Sequence, residues 1–357
     1  MNNYSTNRVA SSVSNPGDLL DFETLRTTFI IVAPLGFVVH FLGAITNGIN
    51  MFVFRKLGLK DVVTLSFFVL SLSDFIYTLT NISGNIPQMV YVANLQRVWS
   101  KDFHNIALYT AAYSVIFKDT TLLVMTYINV TRCCLVTMPL RFKTTFTLER
   151  TRLALKVLTG VSLLIHLPLL YAQSLAWMPD PATNTTRLAA VDNAGAGEIL
   201  AFHDLVNRNV IYYLCHVIIA VCLVVLSLAL ASATRRRQRI TNRNITSLTQ
   251  DSSGADSIPK LSAKDIRVIK AVLSVTLLYA VCFLPIAARA LCRMLFPEFN
   301  AGKRYSNTYN FVYILSAFGS SINTAFNIFL YYLNNTRFRD VVLQVLPILS
   351  PKHELLK

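Results

Sequence analysis

Charged side chains sit inside otherwise apolar stretches of the chain, among them Asp74, Lys118, Asp119, Arg132, Arg289 and Arg293. Ionisable groups in such surroundings are costly, and as a rule they face a bundle interior or a wet cavity for a functional reason. Arg289 and Arg293 stand four residues apart, which places both on one helix face above Pro285. Guanidinium groups grip oxyanions through paired hydrogen bonds, so this face suits a carboxylate, phosphate or sulfate. Ser114, Lys118, Thr121, Met125, Ile128 and Arg132 recur at steps of four and three, one helical stripe that turns Lys118 towards the same cavity. Asp119 lies one step round, towards a neighbouring helix. The competing reading is that Asp119, Glu298 and lipid phosphates neutralise all three cations. His40, His166 and His216 stand singly in separate stretches, with no paired metal-ligand spacing, so packing or pocket roles are expected and an enzyme is not.

The elements that must position these groups are membrane helices. Of 357 residues 54% are apolar and 14% charged, against about 25% charged in a typical soluble domain. Crossing the hydrocarbon takes about 20 apolar residues in helical form, because lipid leaves no partner for an open backbone group. Seven such runs are present: Phe29–Phe54, Val62–Pro87, Ile106–Met138, Leu153–Leu175, Val210–Ala231, Val268–Leu291 and Phe311–Leu333. The expected fold is all-α, a seven-transmembrane helix bundle. Residues 1–28 form an outer tail, 29–333 the bundle and 334–357 an inner segment. Residues 1–18 are polar and unlike a signal peptide, so the first run is expected to act as its own insertion signal. In the last segment Phe338, Val341, Val342, Val345 and Leu346 recur at helical spacing, with Asn335 or Thr336 to cap the start and Pro347 to end it. That pattern reads as an amphipathic helix on the inner membrane surface. Polar connections are expected around Pro179–Asp204 on the outside and from Thr234 to Ser262 on the inside.

Basic residues set the orientation. The loops following the first, third and fifth runs, with the tail, hold 19 Lys and Arg, and the opposite side holds 8. The excess marks the cytosolic side and leaves the N-terminus outside. The net charge of +15 is thus a topology signal spread over four segments, and a nucleic-acid partner is not expected. The triplets beginning at Asn3 and Asn184 fall outside and are expected to carry glycans. Those at Asn81, Asn129, Asn244 and Asn334 lie within the membrane, at its inner border or in the cytosol, and are read as chance matches.

Short motifs then follow in order. The first run contains Asn47, and the second approaches Asp74 through Leu70-Ser71-Leu72-Ser73. The third ends in Thr131-Arg132-Cys133, with Pro139-Leu140 seven residues after the arginine. The sixth carries Cys282-Phe283-Leu284-Pro285. The seventh closes with Asn327-Ile328-Phe329-Leu330-Tyr331, and Phe338-Arg339 follows. Each fragment is weak alone. Taken together, in order and at matching spacings, they resemble the rhodopsin-like (class A) G-protein-coupled receptors over about three hundred residues. The stretch after the seventh run looks like molluscan chemosensory receptors and invertebrate FMRFamide-type peptide receptors.

The departures mark a divergent member. Thr131 stands where the family has an acid, Cys133 an aromatic, Phe283 a tryptophan and Ile328 a proline. The fourth run lacks its usual tryptophan and the fifth its proline. None of the six cysteines lies where the family's outer disulfide would need it, so no disulfide is expected. The seventh run has no lysine, the attachment point of a retinal-binding protein.

The resemblance implies roles. Asn47, Asp74, Thr121, Asn323, Thr324 and Asn327 would form an interior polar network able to hold an allosteric Na⁺ at Asp74, or else a water-filled network with a protonated aspartate. Arg132, Asp265, Phe283, Pro285, Asn327 and Tyr331 would form the switch read by a heterotrimeric G protein, and arrestin is an implied partner. Asp265 is the acid expected to restrain Arg132. Alternatively Asp265 is solvated and Arg132 reaches the headgroups. Ser114, Lys118, Arg289 and Arg293 would line the ligand pocket. No aspartate stands at the Ser114 level, where amine receptors carry one, which favours a peptide or a small anionic ligand. No other cofactor is implied, and the expected location is the plasma membrane, in contact with its lipids. The rival class is a secondary transporter, which usually shows paired half-repeats and broken helices. Neither feature is seen in the sequence.

Overall fold

The computed structural model describes residues 17–92, 109, 113–180, 184–246 and 263–345. Seven helices are long and apolar enough to cross a membrane, and they form an all-α bundle with one added hairpin. In chain order the elements are α1 (Phe22–Leu57), α2 (Val62–Val92), α3 (Ser114–Thr137), the short α4 (Pro139–Thr145) and α5 (Leu148–Ala172). There follow β1 (Gln173–Asp180), β2 (Thr185–Asp192) and α6 (Ala196–His203). A π-helical segment (Asp204–Ile211) joins α6 to α7 (Tyr212–Thr246). The chain then forms α8 (Ala263–Leu295), α9 (Ser306–Asn334) and α10 (Thr336–Val345).

Helix ends follow local chemistry. The Asp21 carboxylate accepts the Thr24 N–H at 2.6 Å and starts α1. The Thr24 N–H and hydroxyl hold that carboxyl below its usual range. Gly58, at φ +86°, stops the same helix in a backbone conformation that suits glycine. Asp61 accepts the Val63 and Thr64 N–H groups at 2.9 and 3.2 Å before α2. The start of α9 is capped from elsewhere in the chain. Asp18 of the N-terminal segment accepts the Asn307 N–H at 2.6 Å, the Thr308 N–H at 3.3 Å and the Thr308 hydroxyl at 2.6 Å. The side of the bundle carrying this segment is termed outer and the opposite side inner.

Helix α3 is the axis of the bundle, with Leu122, Val124, Met125, Ile128 and Arg132 all buried. The peripheral helices expose apolar stripes instead. On α7 these are Val217, Val221, Val224 and Leu228, at steps of four and three, and on α5 Leu153, Val157, Leu164 and Leu167. Outward-facing stripes of this kind are what a hydrocarbon surround requires. At the inner end Phe54, Phe67 and Phe338 close on Tyr331, with ring centroids 5.2, 4.9 and 5.6 Å away, so α10 docks under α1 and α9. Asn335 caps α10 by accepting the Phe338 N–H at 3.2 Å. Phe338 and Val342 form its buried face.

The expected start of the third run, Ile106, lies outside the described residues, where the helix is seen from Ser114. Two other sequence expectations change. The fourth ends at Ala172, because from Gln173 the chain pairs with Thr185–Asp192 in an antiparallel hairpin where a polar loop was expected. Asn193 fixes the base of that hairpin, donating to the Tyr171 carbonyl at 2.6 Å and accepting the Ser174 hydroxyl at 2.9 Å. The fifth run begins at Ala196 rather than Val210, and its helix extends to Thr246 beyond the expected end at Ala231. Gly195, at φ +76°, turns the chain into it.

Candidate functional site

Two interior polar groups are built on α3. In the first, Asp74 of α2 is fully buried. It accepts the Thr121 hydroxyl at 2.8 Å and the Asn327 amide at 3.0 Å, which ties α2, α3 and α9 together. Asn47 donates to the Gly43 and Thr324 carbonyls at 3.0 and 2.8 Å and accepts from Asn50 at 3.3 Å. The Thr324 hydroxyl turns back onto the Ser321 carbonyl at 2.9 Å, so this residue joins the network through its backbone. The side-chain oxygens of Asn323 and Asn327 are buried with no hydrogen-bond partner. Asn327 contacts the Asp74 carboxylate, and an orphaned acceptor there fits the oxygen donors of a hard cation. Asp74 and Asn327 are therefore the residues that would hold Na⁺, with Asn323 one helical turn away on α9.

The second group lies at the outer end. Arg289 of α8 donates to the Tyr309 hydroxyl at 3.2 Å, and its guanidinium stands 5.5 Å from the Tyr309 ring and 5.0 Å from that of Tyr313. Its Nε is buried without a hydrogen-bond partner. Arg293 lies over Tyr309 at 5.9 Å and reaches the Asp204 carboxylate at 3.8 Å. Ser114 is buried in the first turn of α3, and Lys118 is half-buried one turn on. Shared neighbours link the two sides. Tyr212 lies within electrostatic range of Asp119 and Arg289, and His216 within range of Asp119 and Lys118. Asp119 itself points to α5 and the π-helical segment, where it meets His166 and Asn207.

The α3 stripe is interior as expected, and Arg132 is buried at its inner end. One turn before it Asn129 accepts the Thr276 hydroxyl at 2.8 Å, which joins α3 to α8. Asp265 falls in the first turn of α8, and its side chain lies outside the described residues, as does Asn3. Phe283 is buried and stacks on Tyr279 at 4.1 Å, two residues before Pro285 inside α8. Asn184 is exposed at the hairpin tip, at φ +52°, with Thr185 and Thr186 exposed beside it. Asn81 and Asn129 donate to helix carbonyls of their own turns.

Sequence reasoning missed Asp204, Asn207, Tyr309 and Tyr313. It placed Asp204 and Asn207 in a loop, and it read His166 as a residue standing alone. A signal was present, since Asp204 and Asn207 lie three residues apart and share a helix face. Among the described residues, no group of three His, Cys, Asp or Glu side chains is placed to hold a metal ion. The geometry defines a seven-helix, multi-pass membrane protein with a buried polar interior. No protein-family model and no curated protein matches the chain.

Proposed function

We propose that the chain is a divergent rhodopsin-like receptor of the plasma membrane, with its N-terminus outside, that passes ligand binding to a heterotrimeric G protein. The observation that carries this reading is the outer arginine pair. Arg289 is held between two tyrosine rings, and its buried Nε lacks an acceptor. A buried donor without a partner is rare, and an anionic oxygen is its natural complement. The ligand is accordingly a peptide or a small chemosensory molecule carrying a carboxylate, phosphate or sulfate. Arg132 and Asp265 form the inner switch, and Asp74 with its amide neighbours holds the ion that steadies the resting state. Arrestin is the second cytosolic partner.

The test is a panel of anionic metabolites and peptides on cells expressing the full chain with promiscuous G proteins, read by calcium or cyclic AMP. A charge-assisted hydrogen bond is worth about 1.5–3 kcal/mol, so Arg289→Ala should lower agonist potency about 10- to 100-fold at equal surface expression. An agonist indifferent to Arg289→Ala and Arg293→Ala would remove the pocket assignment. Solute uptake without G-protein activation would remove the receptor reading in favour of a transporter.

A further inference from the structure

Asp119 of α3 and His166 of α5 meet in the interior, with Nε2 3.2 Å from Oδ2 and both side chains buried. The other ring nitrogen, Nδ1, lies 2.7 Å from the Ser162 carbonyl oxygen. A carbonyl only accepts, so Nδ1 carries a proton. Nε2 then faces a carboxylate oxygen that already accepts the Asn207 amide at 2.7 Å. A ring lone pair and a carboxylate oxygen repel at this distance, so the contact is an ion pair once Nε2 also carries a proton, although the Nε2–H direction lies outside hydrogen-bond geometry. We infer that Asp119 and His166 bind one shared, exchangeable proton, and that this proton fastens α3 to α5 and, through Asn207, to the π-helical segment of the fifth span.

With the proton in place the pair is neutral overall, an imidazolium and a carboxylate 3.2 Å apart. Without it, a buried carboxylate faces a ring lone pair, an arrangement that low-polarity surroundings penalise. The contact therefore weakens as pH rises. Groups from every neighbouring element face the pair. Lys118 acts on Asp119 from α3 itself, and Tyr77 faces it from α2. Tyr212, Cys215 and His216 of α7 and Tyr279 of α8 also lie within its electrostatic range. The His203 ring stands edge-on to His166 at 5.0 Å, and its Nδ1 is 3.9 Å from Asp204. Asp204 in turn contacts Arg293, so the proton site is joined by successive contacts to the outer arginine pair. Asp204 is 37% exposed and gives the cluster its route to water.

The experiment is the thermal midpoint of the purified full chain in lipid nanodiscs, from about pH 5 to about pH 10. The wild type should lose at least about 3 °C towards the alkaline end as the pair gives up its proton. Asp119→Asn should have a flat profile. Its amide donates to Nε2 and, with the Asn207 amide turned over, to Asn207, so no ionisable proton is required. His166→Gln places an amide N–H against Asp119 and should be flat as well. A flat wild-type profile overturns the inference, and so does an Asp119→Asn profile that falls with the wild type. Should neither variant fold, ¹⁵N-histidine spectra of the wild type decide. One ring losing its second proton as the midpoint falls supports the inference, and no ring titrating there overturns it. The readout is stability, so its outcome is separate from the receptor reading.

Discussion

Gly319 of α9 sits where α8 and α9 approach most tightly among the helix glycines, and replacing it with alanine tests that approach directly. A Cβ built there would overlap the Cys282 carbonyl oxygen and lie 3.3 Å from its carbon, both backbone atoms that cannot swing aside. Relief requires moving one helix away from the other by about 1 Å, the scale of shifts at switching interfaces. Overpacking of this kind costs up to about 3 kcal/mol, and the alanine regains about 1 kcal/mol in helix propensity, so the net loss is about 2 kcal/mol. Two other glycines calibrate the number. At Gly43 the added carbon meets the Thr78 methyl at 2.8 Å, a side-chain atom with some freedom, so cost and gain should nearly cancel. At Gly48 the nearest atom is the Phe75 ring at 3.8 Å, and alanine should stabilise by up to about 1 kcal/mol. Thermal midpoints in nanodiscs should rank Gly48→Ala above wild type, Gly43→Ala near it and Gly319→Ala several degrees below. If Gly319→Ala is as stable as Gly48→Ala, the close packing of α8 on α9 is refuted.

Three further outcomes are expected. Asp18→Ala removes the cap that the N-terminal segment lends to α9 and should cost about 1–2 kcal/mol, with faster hydrogen exchange at the Asn307 and Thr308 amides. Equal exchange would mean the cap is idle. Asn184→Gln should shift glycosidase-sensitive mobility while Asn244→Gln does not, and a glycan on Asn244 would invert the orientation. Replacing K⁺ by Na⁺ should raise the wild-type midpoint, worth about 1.4 kcal/mol at ten times Kd, and Asp74→Asn should abolish the difference. A wild type indifferent to Na⁺ rules out the ion.

The bundle was legible because lipid imposes one strict condition on a spanning helix, a long apolar run, and each of the seven expected spans begins or ends within a few residues of a helix or span end in the structure. The Asp74 network was legible in part. The motif order placed Thr121 and Asn327 beside the aspartate, but the sequence did not show that the Thr324 hydroxyl would turn back onto its own helix. The hairpin was not legible. Leu175, Ala176, Trp177 and Met178 extend the apolar run of α5, and only pairing with Thr185–Asp192 draws them into a strand.

The fifth span failed for a reason tied to its chemistry. Asp204, Asn207 and Arg208 interrupt the apolar pattern, so a reading that demands continuous apolarity begins the span at Val210. The structure carries the backbone through them as a π-helical segment that follows α6 and leads into α7. Wider helical turns of this kind are rare and concentrate at functional sites. Here the segment brings Asn207 to Asp119, while Asp204 at its start reaches Arg293. Membrane helices tolerate such polar residues only where interior partners receive them. The partners are the carboxylate of α3 and the outer arginine of α8, two groups the sequence had already set apart. A polar break at the end of an apolar run is therefore better tested against unmatched interior charges before it is assigned to a loop.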